Sequence, residues 1–123
     1  MTSDAGAVPR GPATDKVQVV VQGDLPYRAH RWARHAVDRA VRHPPWPLVR
    51  ARVRLTRPPH LVATCRADIE TDLGGHLFHA RAEARDPRWA LDIAAERLHR
   101  QVADAHASRA ETRAQGRRRP AGR

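Results

Sequence analysis

The sequence predicts an α+β domain with the element order β-α-β-β-β-α, in which two helices pack on one face of a four-stranded, mostly antiparallel sheet. Three observations support this fold class. Four short segments are β-branched or alternate between apolar and polar residues, as half-buried strands do. Two longer segments repeat apolar residues at helical spacing. The last three strands follow one another through short turns, which is typical of antiparallel neighbours.

The first strand is predicted over Lys16–Gln22, which is rich in valine and ends before Gly23 and Asp24. The first helix is predicted from about Pro26 to Arg42, with Asp24 as its N-cap and Pro26 in its first turn. Its apolar residues recur every three or four positions: Ala29, Trp32, Ala33, Ala36, Val37, Ala40 and Val41. The loop HPPWP (43–47) then prevents the helix from continuing.

Three further strands are predicted over Leu48–Arg57, Leu61–Asp72 and Leu77–Ala84. Pro58-Pro59 separates the first two, and the hairpin turn Gly74-Gly75 separates the last two. The inward positions are predicted to be Val49, Ala51, Val53 and Leu55, then Ala63, Cys65, Ala67 and Ile69, then Phe78, Ala80, Ala82 and Ala84. The outward positions carry arginines and carboxylates, and we expect Asp68 and Glu70 to form surface ion pairs with those arginines.

The second helix is predicted over about residues 87–107, because Asp86 can cap its N-terminus and Pro87 suits its first position. Its apolar stripe consists of Ala90, Ile93, Ala94, Leu98, Val102 and Ala105. Residues 1–15 are small and polar and are predicted to form a disordered leader. Residues 16–107 form the predicted domain, and residues 108–123 are predicted to be a disordered basic tail because they lack apolar periodicity.

The composition excludes several classes of protein. The chain has 123 residues and a formal net charge of +10, and Lys16 is its only lysine. No segment approaches the roughly 18 apolar residues that a membrane span needs, and the N-terminus lacks the apolar run of a secretory signal. Cys65 is the only cysteine, which excludes an intramolecular disulfide and favours the cytoplasm as the location.

The residues that catalysis or metal binding requires are missing from any suitable pattern. Ser3 and Ser108 lie in the predicted tails, and Cys65 falls on a buried strand position, so neither residue type offers an activated nucleophile. The eight histidines lack the four-residue spacing of zinc sites on helices. The sequence therefore predicts a protein that is not an enzyme and has no cofactor, metal or small-molecule substrate.

The excess of arginine indicates a polyanionic partner. On the first helix, Arg28, Arg31 and Arg42 share the polar side, and on the second helix Arg97 and Arg100 lie outside the apolar stripe. Because both helices cover the same sheet face, these five residues are predicted to form one RNA-binding surface. The outward sheet positions of the central strands carry no aromatic residue on which bases could stack, so recognition of the nucleic-acid backbone is favoured over base recognition.

Three tryptophans are placed by the same patterns. Trp32 lies on the apolar stripe of the first helix and is predicted to be in the core. Trp89, in the first turn of the second helix, is predicted to pack at the edge between helix and sheet. Trp46 lies between prolines, and its role stays open.

The segment from His79 to Val102 resembles the last strand and second helix of the ribosome hibernation promoting factors, also called ribosome-associated inhibitors or sigma-54 modulation proteins. The resemblance depends on an alternating alanine strand, Asp86 before the helix, Ala90-Leu91-Asp92, and the run Arg97-Leu98-His99-Arg100-Gln101-Val102. The strand starting at Val49 and the hairpin into Leu77 are also similar. The family's fold has this same element order and is similar to that of double-stranded-RNA-binding domains.

The resemblance implies a protein without enzymatic activity that binds the small ribosomal subunit and its ribosomal RNA. It would occupy the channel of the mRNA and tRNA anticodons under stress or in stationary phase. Arg97 and Arg100 match family positions that contact RNA, and the isolated domain is expected to be monomeric and away from membranes. The alternatives are a general RNA- or DNA-binding module and an interaction domain for an acidic protein. The chain is expected to be either a short form or the N-terminal piece of a longer form with a dimerising domain.

Overall fold

A computed structural model describes residues 16–59 and 63–118, and for 115–118 it describes only the backbone. Four strands and two helices follow one another in these residues: β1 (Val17–Gln22), α1 (Ala29–Ala40), β2 (Leu48–Thr56), β3 (Cys65–Leu73), β4 (His76–Ala84) and α2 (Pro87–Arg118). The strands form one sheet in the order β1-β2-β3-β4. β1 pairs with β2 in parallel, and the other two pairs are antiparallel. The predicted α+β fold class is confirmed.

The core lies between the sheet and the two helices. Its strand side consists of alternating residues such as Val53, Leu55 and Ile69, all fully buried. Its helix side consists of Leu91 and Leu98 from α2 and of small residues from α1, four of which are alanines: Ala29, Ala33, Ala36 and Ala40. Since alanine projects little from a helix, α1 lies close to the sheet and its charged side chains stay near the domain surface.

The first helix begins at Ala29, three residues later than predicted, and Asp24 is not its N-cap. Arg28 occupies the cap position without a side-chain hydrogen bond. The reason lies at the end of β2, where the Arg57 Nε donates to the carbonyl oxygen of Asp24 at 3.1 Å and the Arg57 amide donates to that of Gln22 at 3.0 Å. These bonds hold the segment after β1 against β2, so a turn precedes the helix.

The second helix ends at Arg118 instead of about residue 107, so the prediction that the tail is disordered is wrong for residues 108–118. Continuing an existing helix needs no new nucleus, and these residues are mostly good helix formers. The next proline is Pro120. The absence of apolar periodicity in residues 108–118 therefore means that this segment does not pack on the rest of the domain. It does not mean that the segment is unstructured. Residues 1–15 and 119–123, also predicted to be disordered, lie outside the described residues.

The start of β3 also differs from the prediction, because this strand begins at Cys65 and Ala63 is an exposed turn residue. Its partner β2 ends at Thr56, shortly before Pro58-Pro59, so a strand residue at position 63 would have no ladder to join. At the other end of β3, Gly74 and Gly75 have φ angles of +60° and +93°, as the predicted two-residue hairpin requires. Neither helix of the described residues is long and apolar enough to cross a membrane.

Candidate nucleic-acid interface

The two helices run in the same direction across the sheet. Near their starts, the Arg88 guanidinium lies 5.4 Å from the ring centre of Trp32. Further along, Arg39 of α1 forms an ion pair with Asp92 of α2, and the His99 Nδ1 lies 3.3 Å from the carbonyl oxygen of Ala40. Both helices therefore begin at the same end of the domain, and a groove runs between them.

The groove between the helices is lined mainly by basic and aromatic side chains. Its lining residues are Trp32, His35, Asp38, Arg39, Arg42, Arg88, Leu91 and Asp92. Asp92 pairs with Arg39 across the groove. Among the described residues, no carboxylate lies within ion-pair distance of Arg31 or Arg42, and both side chains are exposed. The positive charge of this side of α1 is therefore available to an external anion.

Arg97 and Arg100 do not join that groove. The Arg97 Nη1 donates to the carbonyl oxygen of Arg81 at 2.7 Å, and the Gln101 Nε2 donates to that of His79 at 2.9 Å. Arg97 thus lies over the outer edge of β4, whereas His99, about 200° away around the helix, faces α1. Arg100 points away from the core and pairs with Glu96 at 3.0 Å.

The structure therefore divides the five predicted RNA-binding residues. Arg28 and Arg31 lie together at the start of α1, and Arg42 lies just beyond its end on the groove side. Arg97 and Arg100 lie elsewhere on α2. Sequence reasoning missed Arg39 and Arg88, which line the groove from opposite helices. The sequence did contain a signal for Arg88: positions 88, 92 and 99 fall on one side of a helix, so Arg88 shares the side of α2 that carries Asp92 and His99.

The open face of the sheet carries a lattice of opposite charges. The pairing places Asp68 of β3 between Arg54 of β2 and Arg81 of β4. The Arg81 Nε donates to the Asp68 carboxylate at 2.8 Å, and the His79 Nε2 lies 3.2 Å from it. This hydrogen bond and the charge of Asp68 raise the pKa of Arg81. The predicted surface pairing is confirmed for Asp68 and wrong for Glu70, which forms no ion pair within the described residues. Arg66 adds a pair with Glu83 at 3.2 Å.

The net charge of the two faces differs as a result. The sheet face has five arginines against four carboxylates, whereas residues 28–42 have five arginines against the single acid Asp38. The arginines of the sheet face are Arg50, Arg52, Arg54, Arg66 and Arg81, and those of residues 28–42 are Arg28, Arg31, Arg34, Arg39 and Arg42. We call the second group the α1 basic face. It carries more net positive charge than the sheet face does.

The aromatic residues differ in their surroundings. Trp46 packs at one end of the sheet, with its ring centre 4.0 Å from that of His76 and 6.1 Å from that of Phe78. Trp32 is partly buried against the core, as predicted. Trp89 is 64% exposed, so the prediction that it packs at the edge between helix and sheet is wrong. It follows Arg88 and precedes the buried Ala90, which directs its side chain outward.

Cys65 occupies the buried strand position that its alternation predicted. Its side chain is fully buried, and this burial is the main reason that its thiol pKa is raised. A buried thiol that stays protonated is a poor nucleophile. Within residues 16–59 and 63–118, no three histidine, cysteine, aspartate or glutamate residues are placed to hold a metal ion together.

Comparisons with known proteins identify the family of this chain. The model of the family described as sigma 54 modulation protein / S30EA ribosomal protein matches residues 17–110. Among solved structures, the N-terminal domain of Thermus thermophilus Protein Y is 26% identical, with a TM-score of 0.58, and the match covers 71% of this chain and 94% of that chain.

A ribosomal subunit interface protein from Coxiella burnetii has the same fold at 17% identity and a TM-score of 0.58, covering 74% of this chain and 97% of that one. Comparison with curated protein sequences finds no match. The family match spans β1 to β4, α1 and most of α2, and so includes both faces described above. The chain therefore belongs to the sigma 54 modulation protein / S30EA ribosomal protein family, a family of ribosome-associated factors.

Proposed function

We propose that this protein binds the small ribosomal subunit through ribosomal RNA and silences translation by occupying the channel of the mRNA and tRNA anticodons, in the cytoplasm, under stress or in stationary phase. Its membership of a ribosome-associated family supports a ribosomal partner. The observation that carries the proposal is the charge difference between the α1 basic face and the nearly balanced sheet face.

The α1 basic face has the properties that a phosphate backbone requires. Arginine donates up to five hydrogen bonds and matches phosphate geometry with two parallel bonds. Arg28, Arg31 and Arg42 are exposed, and Arg42 faces the groove, where a strand of RNA can contact both helices. Arg97 and Arg100 are secondary contacts in this proposal, because each already uses part of its guanidinium within the domain.

The exposed end of α2 adds a second basic element. Side chains from His106 to Arg113 are exposed, and Arg109 and Arg113 are four positions apart on one side of the helix. This extension projects past Val102, the last fully buried residue of α2. It therefore places positive charge away from the α1 basic face, where a partner larger than the domain can contact both.

The mode of action in this proposal is occupancy and not catalysis. The family is one of ribosome-associated factors and is not known as a family of enzymes. We therefore expect inhibition of translation to be stoichiometric with ribosomes and reversible by a high-salt wash, because the contacts are mainly to phosphates. Inhibition at far below one protein per ribosome, or inhibition that survives the wash, would contradict occupancy.

Sedimentation through sucrose gradients tests the site and the partner together. The wild-type protein should co-sediment with the small subunit and the full ribosome, and not with the large subunit or bulk RNA. The double variant R31A/R42A should bind more weakly, and the slope of log affinity against log salt should decrease by about two. The matched control R50A/R54A removes the same charge from the sheet face and should have less effect. An equal loss in both variants would refute the α1 basic face as the binding surface.

A further inference from the structure

The paired N-terminal ends of α1 and α2 carry a patch of aromatic and arginine side chains. Of the five aromatic residues in the chain, three are partly buried, and the two exposed ones, Tyr27 and Trp89, both lie at this end. Tyr27 is 85% exposed and Trp89 is 64% exposed. We define the aromatic patch by Tyr27 with Arg28, Arg31 and Trp32, which line one depression, and by Arg88 and Trp89 at the start of α2, where Arg88 lies over the Trp32 ring.

Neither exposed aromatic side chain is explained by the packing of the domain. A tryptophan or tyrosine that is buried stabilises a fold through the large apolar area it removes from water, and these two leave most of theirs in contact with water. Trp89 stands in the first turn of α2, next to residues that the core does use, namely Pro87 and Ala90. The ring is therefore free to contact a partner.

The arginines of the patch are placed beside the rings. The Arg28 guanidinium lies 6.0 Å from the ring centre of Tyr27, and the Arg88 guanidinium lies 5.4 Å from that of Trp32. Asp86, two residues before Arg88, accepts a hydrogen bond from the Arg88 amide at 2.8 Å and caps α2. The N-terminus of α1 has no side-chain cap and no acidic residue in its first turn. The patch is thus positively charged as well as aromatic.

We infer that the aromatic patch binds unpaired nucleotides of single-stranded RNA, with bases stacked on Trp89 and Tyr27 and flanking phosphates held by Arg28, Arg31 and Arg88. Every base has a flat aromatic face, so stacking of this kind tolerates any sequence. A duplex keeps its bases stacked on one another and cannot use the rings. The inference rests on the proposed function in taking RNA as the partner, and it adds that the RNA at this end is unpaired.

The charge of the patch favours RNA over the other partners that aromatic residues serve. The patch contains three arginines, and the two acids next to it are already engaged: Asp86 with the backbone of α2 and Asp92 with Arg39. Insertion into a membrane interface would instead need an exposed aliphatic surface next to the aromatic rings, and Leu91, the aliphatic residue that lines the adjoining groove, is buried. The patch also continues into the groove between the helices through Trp32, which lines both.

Binding of two defined RNAs tests this inference. One is a 12-nucleotide oligouridylate, about the length that a single small domain covers, and the other is a blunt RNA duplex. We expect W89A to weaken binding of oligouridylate about 5-fold or more, as loss of one stacked base does, and to leave duplex binding within about twofold. Y27A should act in the same direction, and W89F should retain most of the affinity. The salt slope should not change in any of these variants, because no phosphate contact is lost.

The charge variant R109A is the matched control, since it lies on the exposed extension of α2 and should weaken binding of both RNAs. The inference is overturned when W89A and Y27A leave oligouridylate binding unchanged, or when they weaken both RNAs equally. Sedimentation of wild-type protein with the small subunit is measured separately. If the wild-type protein does not sediment with the small subunit, the proposed function is refuted but the stacking is not. If it sediments normally and W89A binds oligouridylate as well as the wild type does, only the stacking is refuted.

Discussion

Removal of residues 108–123 separates the contribution of the α2 extension to the fold from its contribution to binding. α1 has 12 residues and α2 has 32, so truncation after Ala107 removes the last 11 residues of α2, a quarter of the helical residues in the described part of the chain. The circular dichroism signal at 222 nm should therefore decrease by about a quarter. Were these residues disordered, the signal would stay the same.

The thermal midpoint should hardly change in the same truncated protein. The fully buried residues of α2 end at Val102, and the side chains from His106 to Arg113 are exposed. Substitution of surface residues that make no buried contacts usually changes the free energy of unfolding by at most about 0.5 kcal/mol in either direction. For a domain of this size, 1 kcal/mol corresponds to about 4–8 °C, so a shift of more than a few degrees would show that the extension packs on the domain.

Ribosome binding should weaken in the truncated protein, because six arginines and one glutamate are removed. The variant R109Q/R113Q distinguishes charge from helix, since glutamine keeps a helix propensity close to that of arginine. It should retain the full signal at 222 nm and lower the salt slope by up to about two. If the truncation weakens binding and R109Q/R113Q does not, then the extension contributes through something other than these two charges.

Three further predictions concern single residues. R97A should lower the thermal midpoint by several degrees, because loss of the bond to the Arg81 carbonyl costs about 0.5–1.5 kcal/mol, and R100A should not. Gly23→Ala should lower the free energy of unfolding by about 1–3 kcal/mol, because φ at this residue is +96° and an added Cβ would lie 2.4 Å from the carbonyl oxygen of Arg57. Denaturant titration measures this change, and little change would show that the turn relaxes. Cys65 should resist iodoacetamide in the native protein and react after unfolding. Its pKa is raised by folding, so its contribution to stability should be constant at neutral pH and decrease above about pH 9, which unfolding curves at several pH values would detect.

β2 and β4 were predictable because apolar and polar residues alternate along most of their length. The exception is Val49, which was predicted to face inward but is 47% exposed beside a register shift at the start of β2. β2 and β4 begin and end within one residue of the prediction. The start of α1 was not predictable from local signals, since Asp24 and Pro26 form a valid start, whereas the Asp24 carbonyl is instead bound by Arg57, 33 residues away. Likewise, the absence of an apolar stripe after Val102 says that the helix leaves the core, and it does not say where the helix ends.

The candidate site was predictable only to the level of one helix face. The spacing of Arg28, Arg31 and Arg42 placed them on the polar side of α1, where the structure has them. For Arg97, the sequence spacing predicted the direction of its side chain around α2, but it did not predict which strand or helix lies in that direction. That neighbour is the edge of β4, and the order of the strands in the sheet decides it. A position outside the apolar stripe can thus still hold the fold together.

Under the proposed function, the carboxylates of the sheet would help to orient the domain, because with the arginines of α1 they make its charge one-sided. In the paired strands, Glu70 lies opposite Arg52 and Asp68 opposite Arg54, at separations shorter than the Debye length of about 8–10 Å in physiological salt. An approaching polyanion therefore meets little net charge on the sheet face. On α1, five arginines face two acids, Asp38 and, across the groove, Asp92, so a larger net positive charge remains and its field extends into the solvent. If the proposed function holds, this field should orient the domain before contact, with its helices toward the RNA, and short-range bonds should form afterwards.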